Sequence, residues 1–195
     1  MALLRLNKGT RNQVGIMAEL VSKKKAQQRA TRLRRVAPHT AGARVLGEQL
    51  LRCPQNAADV VQDALEIALT TANFPAPDKT KAWFFQVVRN KCIDQLRQQQ
   101  KFTDDTPLAA LTLPEEHLQA PGTATTRCVY QALAALPFEL RDLIVLRELN
   151  DCSYKDIALI VGIPEGTVMS RLHKARLALR DEFNKRSGEN LNDHQ

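Results

Sequence analysis

The sequence predicts an all-α protein: two small helical domains joined by a flexible linker, the second containing a helix-turn-helix. Three observations favour this class. Hydrophobic residues make up 44% of the 195 residues but aromatic residues only 5%, and valine and isoleucine do not fall in alternating runs. Apolar residues instead recur at helical spacing along several stretches. A proline-containing, acidic stretch at 102–125 separates the two helical parts by its composition, and we interpret it as a flexible linker.

The charge of the chain is uneven along its length. The net charge is +7 with a pI near 9.5, which favours an anionic partner. Residues 1–50 contain 11 Lys and Arg but 2 acids, whereas residues 51–195 contain 17 Lys and Arg and 19 acids. The net positive charge therefore comes from the N-terminal segment. In the rest of the chain, only local clusters of charge can indicate a binding partner.

The sequence contains no sign of a membrane segment or a secretion signal. No apolar run approaches the roughly 20 residues that span a bilayer. The N-terminal stretch MALLRLNKGTRNQ has too short an apolar region for a secretory signal. We therefore expect a cytoplasmic protein with no direct membrane insertion.

Motifs for metal, cofactor or catalytic chemistry were not found. There is no Gly-rich phosphate loop, no HExxH and no cluster of His, Cys and Asp at ligand spacing. We expect no enzyme, no metal and no cofactor. The four cysteines are widely spaced without a CxxC pair, so buried reduced thiols are expected. A redox switch between two of them stays open as an alternative. The cysteines are Cys53, Cys92, Cys128 and Cys152.

Residues 1–35 read as a basic N-terminal tail. The stretch Ser22–Arg35 has many charges and few large apolar residues, so it is either disordered or a helix formed on an anionic surface. Pro38 and Gly42 are expected to interrupt any helix that begins upstream. Spaced apolar residues then predict a short amphipathic helix that ends at Arg52, and the first domain is assigned to 36–101. The apolar residues are Val45, Leu46, Leu50 and Leu51.

A clearer helix is predicted over 56–71, NAADVVQDALEIALTT. Its expected buried stripe is Val61, Leu65, Ala68 and Leu69. Three acids lie at i, i+4 and i+7 on the opposite face, without matching bases, so the basic surface of a partner would relieve their repulsion. The alternative is a solvated acidic face. The acids are Asp59, Asp63 and Glu66.

A loop with two prolines, 72–80, precedes a long basic helix predicted over 81–101. Its apolar stripe is Phe85, Val88, Cys92 and Leu96. Three consecutive aromatics, Trp83 to Phe85, lie near its start among basic residues, a combination that suits unpaired bases and their phosphates. The alternative is that the aromatics are core, which we expect of at least two of them.

The second domain, 126–185, is followed by a polar tail, 186–195. Helices are predicted over 127–136 and 138–149. The stretch 153–180, SYKDIALIVGIPEGTVMSRLHKARLALR, then reads as a helix-turn-helix. Ser153 caps its first helix with Asp156 in the reciprocal position, Gly162 permits the sharp turn, and Pro164 suits the first turn of the next helix.

The second helix of this motif is basic on one side. From Glu165 to Arg180 it has four basic residues and one acid. Val168, Leu172, Ala175 and Leu179 form its apolar side. A basic helix behind a glycine-containing turn is what a reader of the DNA major groove needs. The alternative is an ordinary helical hairpin with a solvated basic face.

Long stretches of the sequence resemble the extracytoplasmic-function (ECF) group of bacterial RNA polymerase sigma factors. The matching stretches cover about 53–183 and are NAADVVQDALEIAL, KAWFFQVVRNKCIDQLR and LPFELRDLIVLRELNDCSYKDIALIVGIPEGTVMSRLHKARLAL. The resemblance implies a sigma factor that binds core RNA polymerase and directs promoter recognition, strand opening and transcription initiation at a specific regulon. The implied partners are core RNA polymerase, promoter DNA and an anti-sigma factor. The chain departs from the group upstream, where residues 1–30 match no expected pattern.

Carried over position by position, the resemblance implies three sets of binding residues. The polymerase-binding set on the acidic helix is Asp59, Gln62, Asp63 and Glu66. The set for the minus-ten element is Asn73, Lys79, Lys81, Trp83, Arg89, Asn90 and Arg97. The set for the minus-thirty-five element is Thr167, Met169, Ser170, Arg171, His173, Lys174 and Arg176. In the last set, Thr167, Arg171 and Arg176 are expected to hold phosphates and the others to face the groove.

Two other functions stay open from the residues alone. One is a free-standing helix-turn-helix regulator that acts without polymerase binding. The other is an adaptor or anti-sigma-binding mimic that never reads DNA. The pairing of an acidic helix with a basic aromatic helix argues against the first. The inducing signal, the target promoters and the role of residues 1–50 are not predicted.

Overall fold

A computed structural model describes residues 8–100 and 123–192. Within these ranges the chain is helical and contains no strand, which confirms the predicted class. The helices are α1 (Lys8–Val36), α2 (Thr40–Leu51), α3 (Pro54–Thr70), α4 (Thr80–Gln100), α5 (Ala124–Ala135), α6 (Phe138–Ile144), α7 (Tyr154–Val161) and α8 (Glu165–Asn192). Short 3₁₀ turns occupy Ala37–His39 and Pro77–Lys79, and a π-helical turn, Val145–Leu149, continues α6. The predicted linker falls largely on 101–122, outside the described residues.

From Lys8 onward the N-terminal segment is helical. α1 ends at Val36, because Pro38 follows and proline disfavours helical geometry in the residue before it. The expectation that Gly42 interrupts a helix is wrong, since Gly42 lies inside α2. A Cβ there would lie 2.2 Å from Asn150 Oδ1, so glycine at this position permits a close approach between the two halves of the protein.

The first half packs α2, α3 and α4 around a shared core. The buried face of α3 is rich in small residues (Ala57, Ala64 and Ala68) and lies close to α2, where a Cβ on Gly47 would lie 3.0 Å from that of Ala57. Leu65 and Leu69, predicted to be buried, flank this face and are half-buried. On α4, both phenylalanines that follow Trp83 are buried, which confirms that at least two of the three aromatics are core.

The second half contains the predicted helix-turn-helix. Ser153 caps α7 in a reciprocal pair with Asp156, and Gly162 ends the helix with φ of 78°. Val168, Leu172 and Ala175 are fully buried on α8, as their spacing predicts. α8 extends to Asn192, so most of the predicted polar tail continues this helix.

The two halves pack against each other. α4 contacts α7, and α2 contacts both α6 and the π-helical turn. The buried residues form one continuous apolar cluster that draws on both halves. Among the described residues, no helix is both long enough and apolar enough to cross a bilayer.

Candidate nucleic-acid interface

The outer face of α8 carries the residues predicted to read DNA. Thr167 is half-buried at the start of the helix, and its carbonyl accepts a hydrogen bond of 3.1 Å from Ser170 Oγ. The other members of the set are exposed on one side, because the apolar side is held in the core of the second half. The exposed members are Met169, Ser170, Arg171, His173, Lys174 and Arg176.

Arg176 differs from its neighbours because it already has a partner. Its Nε and Nη2 donate to Glu148 Oε1 at 3.0 and 2.7 Å. The hydrogen bond that Arg176 donates to Glu148, followed by one with Tyr154, raises the pKa of Arg176. Both side chains are nearly half exposed, so water screens the pair and its contribution to stability is small. Arg176 therefore remains available to a phosphate that competes with Glu148.

The loop between α3 and α4 is held by two arginines from α1. Arg32 Nη1 donates to carbonyls at the C-terminal end of α3, at 3.2 Å to Leu69 and at 2.8 Å to Thr71, the residue that follows the helix. A cation there satisfies carbonyls that have no partner within the helix. Arg35 Nη2 donates to Pro75 O at 2.5 Å and to Thr80 Oγ1 at 2.6 Å.

Phe74 lies at the centre of this loop. The guanidinium groups of Arg32 and Arg35 lie 5.2 and 4.7 Å from its ring centroid. Trp83 meets Phe74 edge to face, with centroids 5.6 Å apart. The half-buried Trp83 thus packs on the loop. Sequence reasoning missed Arg32 and Arg35, although their spacing of three residues on a helix was a usable signal.

The residues predicted for the minus-ten element do not form one surface. Asn73 and Lys79 are exposed on the loop, and Asn90 and Arg97 are exposed on α4. The remaining basic members, Lys81 and Arg89, face the second half of the protein. The structure therefore presents only part of the predicted set to solvent.

Arg89 forms a buried ion pair across the boundary between the halves. Its Nε donates to Asp142 Oδ2 at 2.6 Å, and the side chains are only 12% and 1% exposed. Burial raises the pKa of Asp142, while Arg89 and Arg141 oppose that rise. Burial, followed by the proximity of Arg52, lowers the pKa of Arg141 to about 10. One arginine from each half, Arg89 and Arg141, therefore acts on this carboxylate.

Further polar contacts join the halves around this pair. Lys81 Nζ donates to the carbonyls of Asn150 and Asp151 at 2.7 and 3.0 Å. Gln86 Nε2 donates to Leu159 O at 3.1 Å. Lys81, like Arg89, is therefore engaged with protein groups that compete with nucleic acid for its charge.

The acidic face of α3 is open to solvent. All four predicted docking residues are exposed, on the side of α3 that faces away from its neighbours. The expectation that no base matches the acids is wrong in one case, because Lys91 Nζ lies 3.3 Å from Asp63 Oδ2. The exposed residues are Asp59, Gln62, Asp63 and Glu66.

The structure confirms the predicted burial for three of the four cysteines. All four are free thiols, three of them buried and Cys53 half-buried. Burial raises the pKa of Cys92 to about 12 and that of Cys152 to about 11. In the part of the chain that the structure describes, no group of His, Cys, Asp and Glu is placed to hold a metal ion.

The fold and these surfaces define a helix-turn-helix protein with a second helical half packed against the first. Each half matches one known region of a single class of proteins. Residues 40–102 match sigma-70 region 2, and residues 126–179 match sigma-70 region 4. The chain belongs to the ECF RNA polymerase sigma factors.

Curated relatives and a solved structure agree with this assignment. The chain is 28% identical over 167 residues to the RNA polymerase sigma factor SigV of Bacillus subtilis, with 84% of this chain and 97% of the relative covered. It is 30% identical over 165 residues to the ECF RNA polymerase sigma factor SigM of Mycobacterium tuberculosis, with 74% and 80% covered. A solved structure of the sigma factor RpoE in complex with the anti-sigma factor NepR from Bartonella quintana superposes with a TM-score of 0.56 at 25% identity, covering 76% of this chain and 94% of that one.

The family determines the general function. The chain is a polymerase-binding factor that recognises promoters and acts in transcription initiation. Neither a free-standing helix-turn-helix regulator nor an adaptor that never reads DNA is favoured, because a polymerase-associated region 2 accompanies the DNA-reading region 4.

Proposed function

We propose that the acidic face of α3 docks on core RNA polymerase. Its four exposed side chains carry three negative charges on one side of the helix, and among the described residues Lys91 pairs with Asp63 alone. A complementary basic surface would relieve the remaining repulsion and speed association. The resemblance to the group assigns this contact to the clamp helices of the largest polymerase subunit.

Promoter reading is assigned to two separate surfaces. The exposed face of α8 takes the minus-thirty-five duplex, with Arg171 and Arg176 on phosphates and His173 and Lys174 among the residues at base edges. The loop that contains Phe74, together with α4, takes the opened minus-ten strand. This second assignment is supported by the contacts that hold the loop in place: two arginines of α1 and Trp83 all pack on Phe74.

Polymerase binding is proposed to separate the two halves. The observation that carries this step is that Arg89 is largely buried against the second half, and that the half-buried Lys81 donates to two carbonyls there. While the halves are packed, Arg89 is covered and the ammonium group of Lys81 is engaged with backbone carbonyls. Docking of α3 and insertion of the linker into the polymerase would separate the halves and release both residues.

An anti-sigma protein is proposed as the partner that keeps the factor inactive. The solved relative from Bartonella quintana is bound to such a protein, and three quarters of this chain are covered by that likeness. A partner that bound both halves of this chain at once would favour the packed arrangement and oppose polymerase binding.

The docking assignment is tested by charge reversal on α3. The variant Asp59→Lys/Asp63→Lys should co-elute with core polymerase at least about tenfold more weakly, a loss of about 1.4 kcal/mol. Run-off transcription should fall in parallel. Asp181→Lys, at an exposed acid on α8, is the control and should bind as wild type does. If the wild-type chain shifts duplex DNA alone but never co-elutes with polymerase, the proposed function is wrong.

A further inference from the structure

The N-terminal part of α1 projects from the body of the protein. From Glu19 to Thr31 every described side chain is exposed, whereas Arg32 and Arg35 are held against α3 and the loop. We call the exposed segment 22–31 the basic arm. At about 1.5 Å per residue, Lys23 lies about 14 Å along the helix from Arg32. The first half therefore carries an exposed helix rigidly connected to the loop.

The basic arm has the composition of a phosphate-binding helix. It contains no acid, and its basic residues are Lys23, Lys24, Lys25 and Arg29. Lys23 pairs with the exposed Glu19 at 2.8 Å, and the other three form no ion pair with any residue that the structure describes. Four positive charges are thus presented with a single acid beside them, so a polyanion would be attracted strongly.

Within the basic arm itself there is no large apolar residue, and the exposed Met17, Leu20 and Val21 lie in the preceding turns of α1. The apolar residues of the arm are two alanines, Ala26 and Ala30. A helix that lies on a membrane buries a stripe of large apolar residues below its charges. A helix that docks on protein usually buries apolar anchors as well. A surface of charges and small polar groups instead matches the contacts that proteins make with DNA phosphates.

The position of the arm selects the DNA that it would meet. Arg32 and Arg35, at the root of the arm, hold the loop that contains Phe74. Any strand bound at that loop would lie within about two or three helical turns of Lys23. Duplex DNA carries one phosphate charge per about 1.7 Å of its axis, so several phosphates fall within reach.

We propose that the basic arm binds the phosphate backbone of promoter DNA beside the minus-ten element. The arm acts as a second, sequence-independent clamp that adds affinity without adding base preference. This inference rests on the proposed function, because it requires the loop to be at the minus-ten strand. It gives residues 22–31 a role that neither matched region covers, since the region 2 match begins at residue 40.

The test neutralises the arm in the full chain bound to core polymerase. The variant Lys23→Gln/Lys24→Gln/Lys25→Gln/Arg29→Gln keeps helix propensity close to that of lysine and arginine. The probe is a promoter duplex selected from random sequences with wild-type holoenzyme. At about 0.15 M salt its affinity should fall at least about tenfold, and the slope of log K against log salt should become shallower by about 2 to 4. The loss should be equal for different selected promoters.

Two controls separate the charge from the fold. Lys23→Arg/Lys24→Arg/Lys25→Arg keeps the charge and should retain wild-type affinity. Co-elution of the glutamine variant with core polymerase should also be unchanged, which shows that the first half is folded. A photo-crosslinker at Gln27 should then label promoter DNA rather than polymerase.

Three results would overturn the proposal. An unchanged affinity and salt slope in the glutamine variant would show that the arm does not touch DNA, while leaving the proposed function intact. Lost co-elution with an unchanged DNA slope would place the arm on polymerase. If wild-type protein neither co-elutes with polymerase nor starts transcripts, the proposed function fails first and this inference fails with it.

Discussion

Replacing Arg89 by alanine should separate the two halves of the free protein. In the packed arrangement Arg89 is the hydrogen-bond partner of Asp142 Oδ2, and Asp142 is 1% exposed. The other carboxylate oxygen, Oδ1, already has no hydrogen-bond partner among the described residues. Arg89→Ala would therefore leave a buried carboxylate with neither oxygen satisfied. The protein can relieve this by exposing Asp142 to water, which requires the halves to move apart.

The size of the effect follows from the burial of the pair. Removing one partner of a buried ion pair costs about 3 to 5 kcal/mol. Applied to the packing of the halves, even the lower figure changes the ratio of packed to separated molecules by more than about 100-fold. Arg97→Ala is the matched control, because Arg97 lies on the same helix but is 68% exposed and only 4.0 Å from its acid. It should leave the packing unchanged.

The pH dependence gives this prediction a second signature. Burial raises the pKa of Asp142 in the packed form, and separation would return it toward its ordinary value of 3.8. The packed form therefore binds the proton more tightly, so it is favoured at low pH and loses stability as the pH rises above that ordinary value. Arg89 opposes this rise in the pKa of Asp142, so removing Arg89 makes the rise larger. Lowering the pH from 7 to 5 should make Arg89→Ala more compact.

Small-angle X-ray scattering of the full chain measures the separation directly. Arg89→Ala should have a larger radius of gyration than wild type or Arg97→Ala. The double variant Arg89→Met/Asp142→Leu removes both charges and should restore the compact form. A single variant as compact as wild type at pH 7, or a double variant as expanded as the single one, would refute the reasoning.

Two further predictions concern the DNA-reading helix and the thiols. Lys174→Ala should change the preference among bases by about 1–3 kcal/mol. Arg171→Ala should weaken binding to all promoters alike and make the slope of log K against log salt shallower by about 1. Competition binding of the holoenzyme to promoter variants measures both effects, and an equal loss on every sequence from Lys174→Ala would contradict the first prediction. Iodoacetamide at pH 8 should label Cys53 before Cys92, because burial raises the pKa of Cys92 to about 12. Peptide mass spectrometry measures the two labelling rates, and equal rates would contradict the prediction.

Local sequence signals predicted the helix-turn-helix and the cap and turn within it. Ser153, Asp156 and Gly162 form the expected cap and turn, because these depend on residues a few positions apart. The errors concern features that depend on how the helices pack against each other. Leu65 and Leu69 are half-buried because α3 turns its small residues toward its closest neighbour. Gly42 lies inside a helix, and its lack of a side chain makes room for Asn150, more than 100 positions away.

By itself the sequence determined the helical class, the division into two parts, the helix-turn-helix and the face of α8 that points away from the core. Apolar spacing and capping residues encode these features locally. Only the tertiary structure showed that Arg89 and Lys81 contact the second half of the protein. It also showed that Arg32 and Arg35 hold the base of the basic arm against the loop. These contacts join residues 36 to 70 positions apart, for which helical periodicity carries no information. The pairing of such charges depends on how whole helices pack, and that packing is set by the buried core of both halves together.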